Sequence, residues 1–150
     1  MDSALTDTIL QLLQQHRIMT LATVRADGWP QATTVGYAHE GLILYFLCAP
    51  DSQKAANLAR DDRVSLTIDH DTDQVMQIRG LSMAARAKPV LDPQEAERAV
   101  RLLLARYPQQ DSLPLQVPSA SQVRVFRVTP KLISVLDYRK GFGHADLVSC

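Results

Sequence analysis

The sequence predicts a mainly β domain, an antiparallel barrel or sandwich with helices on its periphery. Three observations lead there. Runs of β-branched and apolar residues recur between strong turn signals, at Ile18–Val24, Ala32–His39, Leu42–Leu47, Val64–Asp69, Val75–Lys88, Val123–Val128 and Leu132–Asp137. Three stretches repeat apolar residues at helical spacing, yet they do not alternate with the strands as βαβ units. The 150 residues are 46% hydrophobic and 21% charged, which suits one folded domain and excludes a disordered chain.

The elements follow in order. Leu5, Ile9, Leu12 and Leu13 share one helical face, so residues 4–16 read as an amphipathic helix, with His16 and Arg17 where positive charge suits the helix dipole. The first strand stops at Asp27-Gly28-Trp29-Pro30, and Glu40-Gly41 makes a hairpin of the second and third. A short helix begins near Ser52 and runs through Ala59. Gly80, inside the long fifth strand, marks a bulge or a close backbone approach. Asp92-Pro93 opens a helix whose apolar positions run from Ala96 to Tyr107. Residues 108–120 hold three prolines and read as a loop, and the last two strands bend at Thr129-Pro130. After Tyr138 no periodicity is visible. That segment is either a frayed tail or a specificity loop, dispensable for folding in both cases.

Charge and cysteine content narrow the function. Sixteen basic residues balance sixteen acidic ones, which excludes a generally basic nucleic-acid binder. Cys48 and Cys150 form no disulfide framework, so a reducing compartment is expected. No apolar run approaches the roughly 18 residues of a membrane span. Asp2 and Asp7 stand where a signal peptide carries basic residues. The expectation is a cytoplasmic protein with no membrane or nucleic-acid partner.

Most catalytic motifs are absent. The four histidines make no His-x-x-x-His pair, and there is no Cys-x-x-Cys, so zinc has no motif here. Asp69-His70-Asp71-Thr72-Asp73 starts like a calcium loop but has Gln74 at the sixth position, where glycine is needed, and reads as a solvated turn. Gly80-Leu81-Ser82 lies inside a strand, which excludes a nucleophile elbow. Ala49-Pro50-Asp51-Ser52-Gln53-Lys54 is different: it leaves a strand and enters a helix, where free N–H groups, a hydroxyl and an ammonium suit a phosphate. Taken alone, the same residues also fit a capped helix with a solvated lysine.

The ordered set Met19–Val24, Asp27-Gly28-Trp29-Pro30, Ala32-Thr33-Thr34-Val35, Gly41–Phe46, Ser52–Leu58 and Asp62–Leu66 resembles the pyridoxamine 5′-phosphate oxidase-like family of FMN-binding split barrels. The likeness is strongest from Arg17 to Leu91. It implies a six- to seven-stranded antiparallel split β-barrel, a homodimer, and two FMN sites at the subunit interface. It places the FMN phosphate on Ser52 and Lys54 with Gln53 between them, and the flavin along Ala32, Thr33, Thr34 and Val35. Phe46 and Leu47 line the same site, and Gln74 corresponds to a glutamine reaching in from the partner.

Two arginines of the oxidase itself stand here as Thr33 and Gln53, and its Trp- and Arg-containing C-terminus is missing, so its vitamin B6 activity is not implied. The reading is an FMN-dependent oxidoreductase acting on a small molecule. A reductase using the deazaflavin F420 and a non-catalytic flavin-binding or sensing protein are the alternatives. Tyr138, Phe142 and His144 are the candidate substrate residues, and Ile43 and Tyr45, on a strand apolar on both faces, are candidates for the dimer contact.

Overall fold

A computed structural model describes residues 2–107 and 122–150. The expected loop at 108–120 lies outside them. The elements run α1 (Ser3–Gln15), β1 (Ile18–Val24), β2 (Pro30–Gly36), β3 (Ala38–Glu40), β4 (Ile43–Cys48), α2 (Gln53–Arg60), β5 (Arg63–Asp69), β6 (Arg79–Pro89), α3 (Pro93–Ala105), β7 (Arg124–Asp137) and β8 (Ala145–Ser149).

Every strand pairing is antiparallel, and the sheet runs β2-β1-β5-β6-β7-β4-β3, with β8 added to β7. The two ends of this order, β2 and β3, are consecutive in the chain and separated only by Tyr37. The sheet therefore curls back on itself, and β2 comes to lie against β4 without pairing to it. This is a split barrel with helices around it, as expected.

The interior is filled by alternate strand residues, Met19, Leu21, Leu44, Phe46, Leu66, Ile68, Leu81 and Met83 among them. Ile9, Leu12 and Leu13 of α1 join the same core. Helix starts follow local chemistry: Asp2 Oδ1 accepts the Ala4 N–H at 2.8 Å, and Asp92 Oδ1 accepts the Gln94 N–H at 3.2 Å behind Pro93. Gly80 permits a close approach, because a Cβ there would meet the Ile68 carbonyl oxygen at 2.5 Å.

Several expectations need correction. The second strand is broken at Tyr37, whose buried hydroxyl donates to the Leu13 carbonyl at 2.8 Å. Val75–Gln77 forms a 3-10 turn, and the fifth long strand begins only at Arg79. The last two expected strands are one 14-residue strand. Its bend is a bulge: Ala84 faces Leu132 while Ala85 faces Pro130, leaving Lys131 as the extra residue. The first half of β7 pairs with β4 and the second half with β8.

The segment after Tyr138 is ordered, and Val148 of β8 is buried in the core, so ending the chain at Asp137 would strip a strand from the sheet. The outer face of β4 is also covered. Tyr45 is buried against Ala96, Ala99 and Val100 of α3, with Ile43 and Leu47 packed beside it. Tyr45 donates to Glu95 Oε2 at 2.7 Å, and Arg127 reaches both oxygens of that carboxylate at 2.8 Å. Ile43 and Tyr45 thus meet a helix of their own chain rather than presenting a free surface.

Candidate functional site

The site builds from the exit of β4. The Ser52 N–H donates to the Ala49 carbonyl at 3.1 Å, turning the chain, and Ser52 Oγ accepts the Ala55 N–H at 3.1 Å. Ser52, not Asp51, is therefore the N-cap of α2. Among the described residues the N–H groups of Gln53 and Lys54 have no partner, as expected in a first helical turn. The half-buried Lys54 makes no ion pair among the described residues; its Nζ stands 5.8 Å from the centroid of the Phe46 ring. Phe46 is fully buried and stacks on Phe126 with centroids 5.2 Å apart. The ring face holds the ammonium in place without neutralising it.

Another face of α2 is committed to structure. Asn57 is fully buried and donates to Thr23 Oγ1 at 2.9 Å and to Gln31 Oε1 at 3.1 Å. Its own oxygen accepts from Gln53 Nε2 at 2.8 Å. This amide ties α2 to β1 and β2. The sequence carried one signal of it, an asparagine inside a run of small and apolar helical residues, and that signal was missed.

On β2, Gln31, Thr33 and Val35 face inward opposite Thr23, Leu21 and Met19, while Ala32 and Thr34 face outward and are exposed. Thr33 Oγ1 is buried with no hydrogen-bond partner. Such an orphan calls for an explanation, and a bound group is one. The edge of β2 away from β1 is unpaired, so its backbone groups are also available.

The expected site residues do not all meet. Lys54 lies over Phe46. Ser52 instead lines a cleft of about 250 Å³ with Ala55, Ala59, Pro89, Arg124 and Phe126, which Lys54 does not line. Leu47 packs on the α3 side of β4, opposite Phe46. Arg124, missed in the sequence, is exposed and without a partner among the described residues.

Gln74 is exposed at the start of the 3-10 turn, its N–H donating to Thr72 Oγ1 at 3.2 Å. That turn packs on a second 3-10 turn, Tyr138–Lys140. The Tyr138 and Phe142 rings meet edge to face at 5.5 Å, and His144 Nε2 lies 3.1 Å from Asp146 Oδ2. This group sits where β6 begins, whereas α2 and the cleft sit where it ends. Eleven residues separate the two along the strand, roughly 33 Å. The expected site residues thus form two groups at opposite ends of the barrel.

Among the described residues, no three His, Cys, Asp or Glu side chains are grouped to hold a metal, and no helix is long and apolar enough to cross a membrane. The residue 69–73 stretch leaves β5 as an exposed turn.

With this geometry established, comparison with known proteins decides the family. The family model of pyridoxamine 5′-phosphate oxidase matches residues 5–137. The chain belongs to the pyridoxamine 5′-phosphate oxidase-like family. Among solved structures, a conserved hypothetical protein of Mycobacterium tuberculosis is 28% identical, with a TM-score of 0.77 over 99% of this chain and 93% of that one. An F420 reductase is 27% identical, with a TM-score of 0.65 over 83% of this chain and 94% of the other. The heme storage protein HutZ of Vibrio cholerae, 23% identical with a TM-score of 0.65 over 83% and 88%, shares the fold. Family membership agrees with the order of motifs along β1–β5. The fold is thus shared with proteins described as an F420 reductase and as a heme storage protein.

Proposed function

We propose that this protein is a flavin-binding oxidoreductase that holds FMN at the N-terminal turn of α2 and along β2. The observation that carries the reading is Lys54, a half-buried ammonium with no carboxylate partner among the described residues, beside two helical N–H groups that are likewise without a partner. A phosphate satisfies all three. On β2, the unpartnered Thr33 hydroxyl and the free backbone edge offer hydrogen bonds to a planar ring. Ala32 and Thr34 leave room on the outer face, and Phe46 supports Lys54 from beneath. When bound, the flavin supplies the redox chemistry, and the protein supplies anchoring and orientation. The likeness to an F420 reductase supports a second reading, in which the deazaflavin phosphate rests on the same lysine.

The reading includes a homodimer. Gln74 and Tyr138 lie at the far end of their own barrel, so only a second copy brings them to a flavin at α2. Val75 and Phe142, 54% and 78% exposed beside them, give that end an apolar surface to bury. Light scattering should report twice the 16.7 kDa chain.

The direct test is titration of the purified protein with FMN, F420 and heme, followed by absorption, with mass spectrometry of any ligand carried through purification. FMN binding with one site per chain is the expected result. Binding of F420 alone would move the assignment to the second reading. Binding of heme alone, or of none, would overturn both.

A further inference from the structure

At the end of the barrel away from α2, the residue that follows α1 meets the residue that follows β5 through two imidazoles. His16 Nδ1 is 3.0 Å from the Leu12 carbonyl oxygen. A carbonyl only accepts, so Nδ1 carries the proton and Nε2 presents its lone pair. That Nε2 lies 3.2 Å from Nδ1 of His70, with ring centroids 5.4 Å apart and ring planes at 44°. Two nitrogens held about 2.0–2.1 Å from one cation at a tetrahedral angle stand about 3.3 Å apart. In the metal-free protein the 3.2 Å contact is a hydrogen bond from His70 Nδ1–H to His16 Nε2, and it already holds the two nitrogens within about 0.1 Å of that spacing.

The geometry points to a two-histidine site for a divalent transition cation of the zinc type, ligated by His16 Nε2 and His70 Nδ1 and completed by water. The site is independent of the flavin reading. Binding transfers the His70 ring proton from Nδ1 to Nε2 and places the cation between the two nitrogens. The Leu12 carbonyl is the outer partner that metal-bound histidines regularly have, fixing both tautomer and ring orientation.

The charged neighbours are Asp69 of β5, which favours a cation, and Arg79 of β6, which opposes one. Arg106, after α3, donates to the backbone oxygen of His16 and leaves the ring alone. His70 is exposed, so a cation can enter from solvent. Imidazole pairs select zinc, nickel or copper over magnesium and calcium. The bound ion joins two segments 54 residues apart and clamps the helix whose Ile9, Leu12 and Leu13 help fill the barrel.

The test is a thermal melt of EDTA-treated protein with added zinc chloride, compared with magnesium chloride and with His70→Ala. Zinc in hundredfold excess over its Kd should raise the wild-type melting temperature by at least about 5 °C. Magnesium should not, and His70→Ala should lose the zinc effect while its circular dichroism stays native, because the ring is exposed. An equal zinc shift in His70→Ala, or no shift in the wild type, overturns the site.

Discussion

The two ends of the barrel leave different polar groups unmet. At the α1 end most bond to one another, and the exception is Arg79 Nε, buried without a hydrogen bond to the described residues 3.9 Å from Asp137 Oδ2. Asp137 is buried and takes Arg139 Nε and Nη2 at 2.8 and 2.7 Å, which holds its carboxyl down at about 2. Asp146 lies near His144 and Lys140, and Arg106 donates to the carbonyl oxygens at the end of α1. At the α2 end, Lys54 and Arg124 have no acidic partner among the described residues, and midway along the barrel, beside Leu21, the Thr33 hydroxyl is buried without a hydrogen bond to the described residues. Asn57 is fully committed there and holds the helix in place, and Asp61 and Asp62 pair with Arg63, Arg86 and Lys88 beside it. The lesson is that a cation left without an acidic partner, rather than polarity itself, is what sets the α2 end apart.

Four substitutions sharpen or break this contrast. Phe46→Ala should act most strongly, since it empties the core beneath Lys54; a loss of about 3–5 kcal/mol in urea denaturation is expected. Asp137→Asn should cost about 1.5–3 kcal/mol at neutral pH by removing a charge-assisted pair. Because the folded carboxyl sits at about 2, below its unfolded value, this contribution is complete above about pH 5. It fades as pH falls from about 4 to about 2, so the wild-type and variant stability curves should converge over that window.

Thr33→Val should move the other way. It replaces an orphaned hydroxyl by a methyl group of the same shape, and the ligand-free protein should gain up to about 1 kcal/mol. FMN affinity should fall in the same variant. A destabilised Thr33→Val would mean that the hydroxyl already has a partner within the protein, and the case for a bound group beside it would weaken.

Much of this fold was legible as sequence because the strands announce themselves. Ile18–Val24 and Val64–Asp69 are β-branched runs bounded by turn residues, and Asp92-Pro93 sits where a helix begins. Other features depend on partners distant in the chain. A strand apolar on both faces, such as Ile43–Cys48, reads the same whether a second chain or its own α3 covers it. Pro130 looked like a strand end, yet a bulge at Lys131 lets the strand continue through it. The alternation in Ala145–Ser149 is too short to register without β7 beside it.

At the candidate site, the motif Ser52-Gln53-Lys54 was visible, but two facts were not. One is that Ser52 and Lys54 diverge around the helix. The other is that Lys54 lacks an ion pair among the described residues, which no local pattern can report. Asn57 was hidden for a related reason, as its partners Thr23 and Gln31 lie 34 and 26 residues away.

The central claim is that the free charge of Lys54 serves a phosphate. It is tested by titrating wild type and Lys54→Ala with FMN and with riboflavin, which lacks the phosphate. Stability should change by no more than about 1 kcal/mol, the worth of the contact with the Phe46 ring, because the side chain makes no ion pair among the described residues. FMN binding should weaken roughly 10- to 150-fold, the equivalent of about 1.5–3 kcal/mol, while riboflavin binding stays the same. Superimposable FMN curves for the two proteins would contradict the account.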